Sequence, residues 1–260
     1  VSGNNNVCYQ KTYTYTTESG MTGYVWNVSP GNTLVASGNS ASVTWNVIGS
    51  SEWVEVNYIN GNGCTAVAPE PRIVNVNASP SYTVTGDQTV CAGTTGVSYS
   101  IPAGLSIYAW SVSSGGIISG PATNNSVLIN WMTTATANQT VSVSYTNSLG
   151  CSNITNQPVT IHPLPVATFT TSTPSPVCQD YPTPSLFTVD ASGPASTYLW
   201  QITPPTLGVM TDPTANPLSV TWKLPGTSAQ SAQLRVTATT TGAPPLCSLT
   251  SLPMTVVINP

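Results

Sequence analysis

Three antiparallel β-sandwiches in tandem are expected from this chain, on three observations. No window sustains an apolar period of 3.6 residues, whereas short segments alternate apolar and polar residues at period 2. Gly, Pro, Asn and Ser punctuate those segments at regular spacing, the pattern of all-β sandwiches. A cysteine–tryptophan frame then recurs three times: Cys8, Trp26, Trp45, Cys64; Cys91, Trp110, Trp131, Cys151; Cys178, Trp200, Trp222, Cys247. All six cysteines and six of the seven tryptophans fall on it. The frame divides the 260 residues into repeats at 1–78, 79–165 and 166–260, each long enough for a modest core.

The segments follow in order. In repeat one, Tyr13 and Tyr15 share a face, and a strand through Tyr24 and Trp26 ends at the Pro30-Gly31 turn. Val43 and Trp45 alternate with Ser42 and Thr44. Further on, Val54, Val56 and Tyr58 point inward, with Trp53 and Glu55 outward. A hairpin turn at Asn60–Gly63 precedes Cys64, and Arg72–Asn77 closes the repeat. Repeat two replays this with Tyr99, the strand through Tyr108 and Trp110, Val127–Trp131, Val141–Tyr145, the turn Asn147–Gly150 and a closing Pro158–His162. Repeat three keeps Tyr198–Trp200, Leu218–Trp222, Ala232–Ala238 and Met254–Ile258, and widens the turn before Cys247 with Pro244 and Pro245. Proline-bearing joints at His162–Pro165 and Thr173–Pro176 would stiffen the connections.

Charge narrows the function classes. Lys and Arg total 4, Asp and Glu 8, a charged fraction of 5% where about 25% is usual. Phosphate binding needs clustered basic residues, so no nucleic-acid partner is expected. No apolar run reaches the length of a membrane span. No charged-then-apolar leader opens the chain and both ends coincide with repeat boundaries, so a segment of a longer array is expected.

Six cysteines without C-x-x-C spacing speak for disulfides over zinc or thioredoxin-type chemistry. One bond per repeat is the economical pairing: Cys8–Cys64, Cys91–Cys151 and Cys178–Cys247. Each would close a loop of roughly 55–70 residues, worth about 4 kcal/mol in the chain-entropy model. Disulfides imply an oxidising compartment, hence an exported chain.

The phrases Tyr24-Val-Trp-Asn-Val, Tyr108-Ala-Trp-Ser-Val and Tyr198-Leu-Trp-Gln-Ile, each followed by a strand ending in tryptophan, resemble PKD-like repeats, most closely from Ile107 to Cys151. The usual turn after the tryptophan strand is replaced by Pro30-Gly31 and Gly115-Gly116. The resemblance implies immunoglobulin-like sandwiches and an extracellular, cell-surface location in large exported proteins of Bacteroidota. Gliding-motility adhesins carried by the type IX secretion system are among these. It carries over no catalytic residue.

Candidate chemistry is sparse. His162, the one histidine, stands between Ile161 and Pro163 at a joint and reads as a linker residue. Glu52 and Glu55 point to opposite faces of one strand, which is wrong for a carboxylate pair across a cleft. Calcium at a joint would draw on Glu70 and Asp87, or on Asp180 and Asp190, yet no Asp-x-Asp cluster exists. No cofactor is therefore expected. Trp53, off the frame and turned outward, is the candidate ligand or partner contact. The expected function is a non-catalytic rod, stalk or filament of a surface adhesin, with neighbouring repeats of the same or a like chain as partners. The alternative is a carbohydrate-binding module accessory to a secreted enzyme, with surface glycans as ligand.

Overall fold

The computed structural model describes residues 1–135, 137–170 and 176–260. Most of the expected joint Thr173–Pro176 lies outside the described residues. Repeat one contains β1 (Asn6–Cys8), β2 (Thr12–Thr16), β3 (Thr22–Val28), β4 (Thr33–Ser37), β5 (Ser40–Thr44), β6 (Gly49–Ile59) and β7 (Arg72–Asn77). These make a four-stranded sheet, β1-β7-β6-β3, and a three-stranded sheet, β2-β5-β4. Repeat two contains β8 (Thr89–Cys91), β9 (Val97–Ser100), β10 (Ile107–Val112), β11 (Gly116–Ser119), β12 (Ser126–Trp131), β13 (Asn138–Thr146) and β14 (Ser152–His162). Its sheets, β8-β14-β13-β10 and β9-β12-β11, repeat the plan. Repeat three contains β15 (Val177–Cys178), β16 (Ser185–Phe187), β17 (Ser196–Thr203), β18 (Gly208–Met210), β19 (Leu218–Trp222), β20 (Gln230–Thr240), β21 (Ser248–Thr250) and β22 (Met254–Asn259). Here β15-β22-β20-β17 faces β16-β19-β18, and β21 adds to β20. Each repeat is an all-β, immunoglobulin-like sandwich.

The tryptophans tie the two sheets of each sandwich together. Trp26, Trp110 and Trp200 sit on the four-stranded sheets, and each indole Nε1 donates across the core to a carbonyl in the opposite sheet's hairpin turn. The acceptors are Gly38 (2.9 Å), Asn124 (2.8 Å) and Ala215 (2.8 Å). The second tryptophan of each frame meets a buried ring edge-on: Tyr15 with Trp45, Tyr99 with Trp131, Phe187 with Trp222, centroids 6.0 to 6.4 Å apart. Valines from both sheets fill the space between, and the three cores draw on residues 7–76, 84–161 and 167–258.

The short first strand of each repeat pairs in parallel with the last. Cys8 stands opposite Asn77, Cys91 opposite His162, and Cys178 opposite Asn259. The opening cysteine therefore lies where the chain leaves its repeat. The closing cysteine lies at the other end. Cys151 immediately precedes β14, whose last residue is His162. Those 11 residues span roughly 35 Å. Disulfide geometry needs Cα atoms within about 7 Å. The two cysteines of a repeat are thus out of reach of each other, and the expected bonds Cys8–Cys64, Cys91–Cys151 and Cys178–Cys247 are corrected. The bonds are Cys8–Cys151 and Cys91–Cys247, with Cα separations of 5.5 and 5.6 Å. Both join neighbouring repeats, so the expectation of one disulfide inside each sandwich falls. Cys64 and Cys178 are free and exposed.

Candidate functional site at the repeat joints

The joints are where the sequence has placed its unusual chemistry. At the first, Tyr9 N donates to the Asn77 carbonyl (2.9 Å), which holds the end of β1 against β7. Cys151 Sγ lies 3.9 Å from that same carbonyl. Cys151 is presented by a turn that Asn147 closes: its Oδ1 accepts from Leu149 N (3.0 Å) and Cys151 N (2.9 Å). The other end of that amide reaches across the joint, Nδ2 donating to Ala78 O (3.4 Å). The connecting segment is also seated on repeat two. Tyr82 packs on Tyr145 with centroids 5.7 Å apart and donates its N–H to the Tyr145 hydroxyl (3.0 Å). Asn153 Nδ2 donates to Pro80 O (2.9 Å).

The second joint has the same parts. Ala92 N donates to His162 O (2.9 Å), and Cys247 Sγ lies 3.9 Å from that oxygen. Thr240 Oγ1 takes the place of the asparagine amide, accepting from Cys247 N (2.9 Å). Cys151 and Cys247 are both buried. Each joint therefore has two covalent connections, the peptide and the disulfide. Tandem domains joined by peptide alone move relative to one another by default; the second connection adds a covalent constraint on that movement.

The residues singled out in the sequence are not brought together. His162 is at the second joint, and its backbone carbonyl is the part engaged there. Trp53 lies half-buried on the outer face of the four-stranded sheet of repeat one, opposite Ile73, which is 53% exposed. Glu52 accepts from the Ser29 hydroxyl (2.5 Å) and Asn32 Nδ2 (2.7 Å), while Glu55 accepts from Asn27 Nδ2 (3.3 Å). Asp180 pairs with Lys223. Asp190 accepts from Ser192 N (2.8 Å), which holds its carboxyl below the usual range. Glu18, at the far end of repeat one, is drawn down to about 2 by hydrogen bonds from the Thr17 and Tyr58 hydroxyls. Among the described residues no three His, Cys, Asp or Glu side chains gather at metal-binding distance, and no helix is long and apolar enough to cross a membrane. The sequence places Asn147 in the turn before Cys151, as it places Asn60 before Cys64, but carries no sign of its reach across the joint to Ala78.

The PKD-like domain family matches residues 1–71 and 77–161, more than half of the chain, and the chain belongs to that family. No curated protein sequence matches it. Among solved structures it is similar to the N-terminal eight immunoglobulin domains of the Down syndrome cell adhesion molecule. That match has 13% identity and a TM-score of 0.37, over 97% of this chain and 35% of that one. The human desmocollin-1 ectodomain aligns at 12% identity and a TM-score of 0.27, over 96% and 58%. Mouse cadherin-23 domains 22–24 align at 12% and 0.27, over 91% and 84%. At those scores the sandwich assignment rests on this chain's own sheet order and family match.

Proposed function

We propose that the chain is a stiff, non-catalytic segment of an exported bacterial surface protein, serving as the rod or stalk of an adhesin. The observation that carries this is the pairing of cysteines between neighbours. A disulfide inside each sandwich would stabilise the sandwich; one across each joint stabilises their relative placement. Gliding-motility adhesins are a setting in which such a rod would transmit force. The low charged fraction supports a length that salt does not change. The alternative, a carbohydrate-binding module, has Trp53 to offer, but its cross-strand neighbour is Ile73 and not a second aromatic. Small-angle scattering on the oxidised Cys64→Ser/Cys178→Ser variant tests the rod. Its maximum dimension should stay constant from low to high salt and on adding EDTA. A bent or broadened ensemble under either condition, with both disulfides intact, would sink the reading.

A further inference from the structure

The three sandwiches differ at one edge. In each, the strand that carries the first tryptophan, β3, β10 or β17, stands at the rim of its four-stranded sheet. In repeats two and three the chain covers that rim itself. Trp110 N donates to Ala122 O (3.0 Å), and Trp200 N donates to Pro213 O (2.8 Å). Both acceptors lie in the hairpin loop of the facing sheet, at 120–125 and 211–217. In repeat one that loop is Gly38 and Asn39 alone. It reaches the indole Nε1 of Trp26 through Gly38 O (2.9 Å) but not the backbone.

The rim of repeat one is left open. Ser29 N donates to Trp53 O (2.9 Å), toward β6. Backbone groups alternate in direction along an antiparallel strand, so the N–H and C=O of Trp26 and Val28 face away from β6. Among the described residues no backbone carbonyl accepts from Trp26 N. A second observation lies beside it. Ala36 faces the interior in register with buried Ala41, yet Ala36 is exposed. In repeat two Ala122 packs on the core as well as capping the rim. The longer loop therefore supplies a carbonyl and a small apolar side chain, and repeat one is open for both. This ground is separate from that of the connecting segment, which in repeat two lies on Tyr145 and Asn153 while Ala122 is in place.

We propose that the rim of β3 is a docking site for an extended segment of another protein, which adds to the sheet as a further strand. The loops of repeats two and three define the occupant. It presents a backbone carbonyl to Trp26 N and a small apolar side chain, alanine or proline, to the corner beside Ala36. Its next residues continue the ladder along Val28, with uncharged side chains on the outer face beside Val25, which is 57% exposed. A second copy pairing through its own β3 does not meet this description. Its Tyr24, Trp26 and Val28 are committed to their own core and are too large for the corner. The proposal is independent of the rod reading, which concerns the joints.

The test uses the full chain as the Cys64→Ser/Cys178→Ser variant, isotope-labelled for amide NMR. The Trp26 amide should exchange with solvent at least about tenfold faster than the amides of Trp110 and Trp200. The probe is a capped heptapeptide of alternating threonine and valine with alanine at its centre. It should shift the Trp26 and Val28 amides and slow exchange at Trp26. Replacing Gly38-Asn39 with the sequence of residues 120–125 should close the rim and weaken peptide binding by about tenfold or more. Ala36→Arg, at an exposed position that folding tolerates, should weaken it to a similar degree. Equal protection of the three amides, shifts confined to other strands, or unchanged affinity in the Ala36→Arg protein would overturn the proposal. Self-association of the free chain through β3, read by sedimentation, would do the same.

Discussion

Pulling the chain by its two ends separates the observed cysteine pairing from pairing within repeats. In the observed pattern the shortest covalent path leaves Val1, crosses from Cys8 to Cys151, runs back to Cys91, crosses to Cys247 and continues to Pro260. Its peptide stretches are 7, 60 and 13 steps, or 80 in all. At about 3.5 Å per step, with two bridges of 5.5 and 5.6 Å, the unfolded oxidised chain extends to about 290 Å. Reduced, the same chain extends to about 900 Å. The Cys64→Ser/Cys178→Ser variant gives the decision. Neither residue is bonded within the chain, so its limit stays at about 290 Å. Were each repeat closed by its own bond, that variant would retain only Cys91–Cys151 and extend to about 700 Å. Single-molecule force spectroscopy resolves this difference easily. A limit near the larger figure refutes the joint geometry and everything drawn from it.

Other expectations concern single residues. A Cβ on Gly86, at φ +157°, would stand 2.4 Å from Tyr99 Cδ1 and 2.8 Å from Ser98 O. Gly86→Ala should therefore cost repeat two about 2 kcal/mol in denaturant unfolding, while Gly61→Ala, with nothing within 4 Å, should be near neutral. Burial, the largest influence, pushes the Tyr99 phenol up to about 12 from 10.0. Folded protein then keeps a proton that unfolded chain gives up, so this stability is whole below about pH 10 and is lost as pH rises toward about 12. Tyr99→Phe should flatten that decline in denaturant midpoints measured across the window; an unchanged slope would assign the decline to other groups.

Much of the fold was legible because side-chain period and turn residues are local signals. Arg72–Asn77 was placed to the residue, and the alternation around Val54 and Val127 gave the correct inward faces. The edge strands β4, β11 and β18 carry little of that signal, since Val35, Ile117 and Val209 are exposed and their alternation is weak. The cysteine pairing was illegible for a different reason. It depends on the parallel contact of the first strand with the last, a non-local pairing that places Cys8 beside Asn77, at the pole opposite Cys64. Spacing in sequence carries no sign of that pole. The joint contacts of Asn147 and Tyr82 depend on the same placement, so they were hidden along with it.

The two bridges overlap: Cys91 lies inside the span from Cys8 to Cys151, and Cys151 inside the span from Cys91 to Cys247. A protease that cuts once, anywhere from residue 9 to residue 246, leaves the fragments tethered by at least one sulfur–sulfur bond. That range includes both connecting segments, the points at which a string of separately closed beads would be severed by a single nick.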